Sequence, residues 1–299
     1  YFIFIASDDH LDKKNQINIG ILLGITTSFI LLQGSLHLYS ISITFLGFWA
    51  VINLKMYLFS ITSFITSFSL SAIKIVPAYF GYGNKENHHY WEAGGYANLS
   101  SFFESFIVLK NHFDVPEFSS WEFSLFIGFF AIIFIIYFGV INSFISDYRN
   151  KNYLLKLGIP LLLMIFISFR HFKHLIIPQW IPLLNSESIT SRYMIIPLLL
   201  LTIIAVINFQ KFLNRGSLSF KVKFGIYTTL LVTFISLVNH SRNWRMHLIE
   251  NQNLWYKKLL SIKDISINQN FIENNYNDII YIYAFWVGAF LSFITMIII

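Results

Sequence analysis

The chain has 299 residues, of which 56% are hydrophobic, 19% aromatic and only 12% charged, with a formal charge of +6 and no cysteine. Soluble domains carry roughly 25% charged residues to solvate their surface, so a water-soluble globule is excluded and lipid is the expected solvent. Without cysteine, disulfide scaffolds, thiolate metal sites and cysteine nucleophiles are also excluded. The basic residues are scattered rather than striped, which argues against nucleic acid as a partner.

In chain order, the sequence opens Tyr1-Phe2-Ile3-Phe4-Ile5, with no initiator methionine and no basic region ahead of the apolar one. That is not a signal peptide. It reads as the tail of a helix, and a fragment whose missing part lies mainly upstream is expected. A helix needs about 20 apolar residues to cross ~30 Å of hydrocarbon. The stretches that meet or approach this are Ile17–Leu32, Leu36–Leu54, Met56–Val76, Trp121–Ile145, Tyr153–Phe169, Tyr193–Leu213, Phe224–Val238 and Ile279–Ile299. None alternates polar with apolar residues, so a transmembrane barrel is disfavoured. Only Gln33-Gly34-Ser35 separates the first two, the spacing of a tight helical hairpin. The predicted fold is an all-α integral membrane protein: one polytopic domain over 1–299, with about eight transmembrane helices.

Alternating spans put the three long connections, at about 77–120, 170–192 and 239–278, on one side. The short loops on the other side carry Lys13, Lys14, Lys55, Arg149, Lys151 and Lys156, then Lys211, Arg215, Lys221 and Lys223. Basic density in short loops sets orientation. The short loops are therefore expected in the cytoplasm and the long segments outside, in the plasma (inner) membrane. Within the first long segment, Tyr96–Leu109 has apolar residues at helical spacing (Tyr96, Leu99, Phe102, Phe103, Phe106, Ile107). Glu104 and Lys110 make it a poor span, so an amphipathic helix at the outer interface is expected. Trp244, Leu248, Trp255 and Tyr256 give 239–278 a similar character.

Three clusters have the residue types for chemistry. Asn87-His88-His89-Tyr90-Trp91-Glu92 offers two imidazoles, a carboxylate and two aromatic rings, suited to a general base or a sugar-stacking surface. The same residues also suit a plain headgroup-level anchor. Arg170-His171-Phe172-Lys173-His174 gathers cations directly after a span, where they fit a lipid phosphate or simple snorkelling. His171 and His174 are spaced for one helical face, but no third metal ligand accompanies them. In Asn185-Ser186-Glu187-Ser188-Ile189-Thr190-Ser191-Arg192-Tyr193, Ser, Thr and Glu precede an apolar run as helix caps do. Arg192 then stands where the helix field already favours an anion, although Glu187 is an equally good partner. Lys74 is expected to snorkel. His37 reads as a satisfied polar residue beside the hairpin. Asp8, Asp9 and His10 read as a solvated linker.

Three sets of residues carry a resemblance. Leu32-Gln33-Gly34-Ser35-Leu36-His37 together with Ser71–Pro77, Trp91-Glu92-Ala93-Gly94-Gly95-Tyr96, and Ile181–Tyr193 are similar to segments of the YfhO-like proteins and related families of the GT-C glycosyltransferase superfamily. The resemblance implies a many-helix cell-envelope enzyme that takes a sugar from a polyprenyl-phosphate donor on the outer face. Glu92, His88 and His89 would stand near the acceptor, and Arg170, Lys173 and Arg192 would hold the lipid phosphate. Membrane lipids and the lipid-linked donor are the implied partners. No cofactor is expected, with a divalent metal left open. Such enzymes place an aspartate in a first outer loop, and no such loop is visible in this sequence. The alternatives are a non-catalytic transporter or flippase for lipid-linked glycans, and a structural membrane subunit. Mid-span residues are nearly all apolar, which favours an interfacial enzyme over a conduit.

Overall fold

The computed structural model describes residues 3, 6, 11–82, 94–107, 125–145, 148–170, 172–176, 189–214, 220, 224–242 and 279–298, without the side chains of 81–82, 144–145, 148–155, 173–174 and 281. Among the described residues 89% are helical and none is in a strand, so the all-α expectation holds. Among the described residues, three helices are long and apolar enough to cross a membrane: Lys13–Leu32, Thr190–Asn214 and Phe224–Arg242. They become four if Leu36–Ile52 and Leu54–Leu70, bent by 113°, form one span. Eight spans are not shown among the described residues, where Phe129–Ile141 is a shorter apolar helix and much of the expected Trp121–Ile145 span's first part lies outside them. The chain forms two compact units, Tyr1–Gly94 with Tyr148–Pro197 and Asn270–Ile299, and Gly95–Asp147 with Leu198–Gln269.

In the first unit, α1 (Lys13–Leu32) starts at Asp12, whose Oδ1 accepts the Asn15 N–H at 3.1 Å. It stops at Gly34, where φ is +104°. There the Gly34 N–H donates to Leu31 C=O and the Ser35 N–H to Ile30 C=O, which serves carbonyls that a helix end leaves open. The chain then turns directly into α2 (Leu36–Ile52), as the Gln33-Gly34-Ser35 spacing predicts. α3 (Tyr57–Leu70) lies against α1 with almost no side chain between them. A Cβ on Gly20 would meet Phe59 O at 2.7 Å, and one on Gly24 would meet Ser63 O at 2.8 Å and Thr66 Cβ at 2.6 Å. The contacts of Gly20 with Phe59 and Thr62, and of Gly24 with Ser63 and Thr66, rise together in number. The two helices are therefore parallel, and α2 is the return leg. Small residues a turn apart permit this approach, which is how apolar helices associate when lipid removes the hydrophobic drive. The hydroxyls on the seam bond back into their own helix: Thr62 Oγ1 donates to Leu58 C=O at 2.7 Å, and Ser63 Oγ to Phe59 C=O at 2.7 Å.

α4 (Ala72–Tyr82) follows α3 after a break at Ser71. α12 (Ile279–Ile298) holds that break. Ser292 Oγ accepts the Ile73 N–H at 3.1 Å and faces the carbonyls of Ser69 and Leu70 at 3.1 and 3.0 Å. It thereby bridges the pair that an unbroken helix would join directly, Ile73 N–H to Ser69 C=O. α8 (Tyr148–Ile167) is tied to the end of α2 by Asn53 Nδ2, which donates to Lys156 C=O at 3.2 Å and to Trp49 C=O at 2.8 Å.

In the second unit, α5 (Leu99–Ile107) starts later than the expected Tyr96, because Asn98 caps it. Asn98 Oδ1 accepts the Ser101 N–H at 2.8 Å, and Ser101 Oγ accepts the Asn98 N–H at 3.2 Å. Phe102, Ser105 and Phe106 are buried on one face. Tyr96 packs edge-on against Phe102 and is fully buried, and burial pushes its phenol up to about 12 against the lowering effect of Ser105. α6 (Phe129–Phe134) passes through a π-helical stretch, Ile135–Ile141, into α7 (Asn142–Ile145). α10 (Ile195–Asn214) enters this unit at Leu198 and packs on Gly139, whose Cβ would meet Leu201 O at 2.9 Å. Asn208 is buried there and donates Nδ2 to Phe138 C=O and to Ser143 Oγ, both at 2.8 Å. α11 (Phe224–Arg242) has no buried residue, as a lipid-facing helix requires.

Candidate lipid-phosphate site

The sequence puts Arg170 and Arg192 on different segments, and the fold joins those segments. Helix α8 ends at Ile167, and the last carbonyls of a helix need donors from outside it. The Ser168 carbonyl receives one, because Thr190 Oγ1 donates to it at 3.3 Å. Thr190 opens a 3₁₀ turn, Thr190–Met194, that runs straight into α10. Within the turn, the Ser191 N–H donates to Gly94 C=O at 3.0 Å and the Arg192 N–H to Ile189 C=O at 3.2 Å. Thr190, Ser191 and Tyr193 are buried, Arg192 is half-buried and Arg170 is exposed. Three chain segments therefore meet at a hydrogen-bonded junction with an arginine on each of two of them.

Each arginine lies two residues from the Thr190–Ser168 bond, and two residues of chain reach at most about 7 Å. Beyond Arg170, the rings of Phe172 and Phe166 lie 5.7 Å apart and fold the chain back over the last turn of α8. Lys173 then opens the short helix α9 (Lys173–Ile176), and its side chain is outside the described residues. Arg170 follows a helix C-terminus, where a cation is favoured. Arg192 is placed oppositely. The helix was expected to start at Tyr193 with Arg192 just ahead of it, but the 3₁₀ turn begins at Thr190 and takes Arg192 into the first turn. A cation there opposes the helix field by about 0.3–1 kcal/mol, which an anion would offset. The anion would depend on the guanidinium more than on backbone, since the Ser191 N–H already serves Gly94.

Glu92, His88 and His89 lie outside the described residues, as do Glu187 and His171. Asp8, Asp9 and His10 lie outside them too. Among the described residues, no three His, Asp or Glu side chains come together in a way that would hold a metal ion. Lys74 does more than snorkel: its Nζ donates to Leu31 C=O at 3.1 Å and to Leu32 C=O at 2.7 Å, capping α1. His37 is exposed beside the hairpin turn. The residues that build the junction, Gly94, Ser168 and Thr190, have no distinctive signal in the sequence beyond the capping hydroxyls ahead of the α10 run. No family model, no curated protein and no solved structure matches this chain.

Proposed function

We propose that the chain is a multi-pass protein of the plasma membrane, with about eight passes and its short basic loops in the cytoplasm, that binds a polyprenyl-phosphate-linked sugar on the outer face as a GT-C-type glycosyltransferase does. The observation that carries this reading is the junction of the Arg170 and Arg192 segments at the ends of two apolar helices. That is the depth at which a lipid phosphate sits, and two guanidinium groups supply the planar forks that bind phosphate bidentately. The similarity of Trp91–Tyr96 and Ile181–Tyr193 to GT-C proteins supports the same assignment, with Glu92, His88 and His89 on the acceptor side and Lys173 as a third cation. The parallel course of α1 and α3, with α2 as the return leg, supports counting α2 and α3 as separate passes.

The test compares Arg192→Lys, Arg192→Ala and Glu187→Gln for thermal stability and for binding to polyprenyl-phosphate sugar in nanodiscs. Loss of the fork should weaken binding by about 1.5–3 kcal/mol, the size of a charge-assisted contact, with little change in melting temperature. If Arg192 only pairs with Glu187, both Ala and Gln variants lose stability and neither changes lipid affinity. A stable Arg192→Ala protein that binds the lipid normally ends the proposal. A second reading, a flippase for the same lipid, is favoured by the helix break at Ser71 and the π-helical stretch, since interrupted helices mark transport pathways. Lipid translocation in vesicles without sugar transfer would select it.

A further inference from the structure

We infer that Thr190 is a positioning residue for the phosphate site: its hydroxyl, donated to the Ser168 carbonyl, sets the spacing between the Arg170 and Arg192 turns. The inference rests on the proposed lipid-phosphate reading and adds the residue that makes two distant cations into one site. Thr190 is buried, so its hydroxyl must find an acceptor within the protein. The acceptor it finds belongs to neither its own turn nor its own helix: Ser168 lies 22 residues earlier, just past the end of α8. Ser168 Oγ is already used, donating to Ile165 C=O at 2.6 Å, and its N–H donates to Met164 C=O at 3.1 Å. The Ser168 carbonyl is thus a group through which the end of α8 meets the 3₁₀ turn. The Ser191 N–H, donated to Gly94 C=O, holds the same turn to a third segment, and the Thr190 hydroxyl ties it to the end of α8. A diphosphate or phosphodiester bridging two guanidinium groups requires that distance to be fixed before it binds, because ordering two long side chains and two backbone turns at once would consume the binding energy.

The chain has no cysteine, so two can be introduced for spin labels without background. Phe172 and Ile195, both exposed, flank the junction on either side. Pulsed electron resonance on this pair, without ligand, reads the spacing in wild type, Thr190→Val and Thr190→Ser, and affinity is read in parallel with nanodiscs containing polyprenyl phosphate and with inorganic phosphate alone. Thr190→Val keeps the shape and removes the donor. It should broaden the distance distribution and weaken lipid-phosphate binding about five- to tenfold, the effect of one hydrogen bond. Thr190→Ser keeps the donor and should restore both. Weakening for the lipid and for inorganic phosphate alike assigns the effect to the phosphate group, whereas weakening for the lipid alone assigns it to the acyl path and overturns the inference. A distribution unchanged in Thr190→Val also overturns it, even where binding is lost. Failure of wild type to bind either phosphate overturns the proposed function instead, and the distance measurement still decides whether Thr190 sets the spacing.

Discussion

Replacing Gly24 with alanine should destabilise the protein, while the same change at Gly47 should not. Both glycines lie inside helices, Gly24 in α1 and Gly47 in α2, and neither has positive φ. Alanine therefore brings each site the same gain in helix propensity, up to about 1 kcal/mol. The difference between the variants then isolates packing. A Cβ at Gly47 meets nothing within 4 Å. At Gly24 it meets Ser63 O at 2.8 Å, Thr66 Cγ2 at 2.9 Å and Thr66 Cβ at 2.6 Å. The first is backbone and cannot rotate away. Restoring ordinary contact needs α1 and α3 to separate by roughly 0.6–0.8 Å, and a gap of that size forfeits about a third of each dispersion contact. With ~0.1–0.2 kcal/mol per atom pair and a few dozen pairs along the seam, the loss is roughly 1–2 kcal/mol, within the range of about 1–3 for overpacking. Unfolding of both variants in the same detergent, followed by circular dichroism, should place Gly24→Ala below wild type and Gly47→Ala at or above it. Equal midpoints for the two would refute the close α1–α3 packing.

The remaining predictions concern other parts of the chain. Asn208→Leu removes the donor to Phe138 C=O and Ser143 Oγ and should cost about 1–2 kcal/mol in detergent unfolding; a neutral result would mean the π-helical stretch does not need it. The neutral phenol of Tyr96 is favoured by folding, so its contribution is complete below the ordinary tyrosine value near 10 and is lost as pH rises through about 12. Tyrosinate absorbance should show a group titrating late together with melting of α5, and Tyr96→Phe should remove that alkaline transition; a late transition that survives in Tyr96→Phe belongs to another residue. For topology, cysteines placed at Ser101, Ser186 and Asn251 should react with an impermeant thiol reagent in intact cells while one at Asn150 should not, and the reverse pattern would invert the membrane orientation.

How much of this was legible in the sequence depends on whether a feature is local or a meeting of distant segments. Helix was legible nearly everywhere, because long runs of Ile, Leu and Phe with no alternation leave a backbone in lipid one regular solution. The hairpin at Gly34 was legible because a turn of three residues with a central glycine has few alternatives. Span boundaries were less so. Ser71 reads as one more small residue in Met56–Val76, and the hydroxyl that stabilises its break belongs to Ser292, far along the chain. The spacing Gly20-x-x-x-Gly24 was a readable sign of close helix packing that composition and hydropathy pass over, and Asn208 was a readable polar exception inside a span. The arginines drew attention by charge alone. The meeting of their two segments did not, because it depends on a buried threonine whose hydroxyl looks in sequence like an ordinary helix cap.

Where polar groups are used within the apolar helices also bears on what the protein does. A conduit needs polar atoms at mid-span that the fold does not consume. Here Ser292 is spent on the break between α3 and α4, Asn208 on the π-helical stretch, and Thr27, Thr44 and Ser63 on carbonyls of their own helices. Among the described residues, buried side-chain atoms without a partner are Gln16 Oε1, Trp49 Nε1 and Ser71 Oγ. Gln16 belongs to the first turn of α1, Trp49 to the last turn of α2, and Ser71 to the far end of α3. Because α1 and α3 are parallel, Gln16 and Ser71 are at opposite ends of that pair, too far apart to form a line of polar steps. The positive charges are placed differently. Lys74 caps the end of α1, Arg170 follows the end of α8, and Arg192 lies in the first turn before α10. Among the described residues, then, the fold consumes most polar side chains inside the helices and places these cations at helix ends, which is the arrangement the proposed lipid-phosphate site uses.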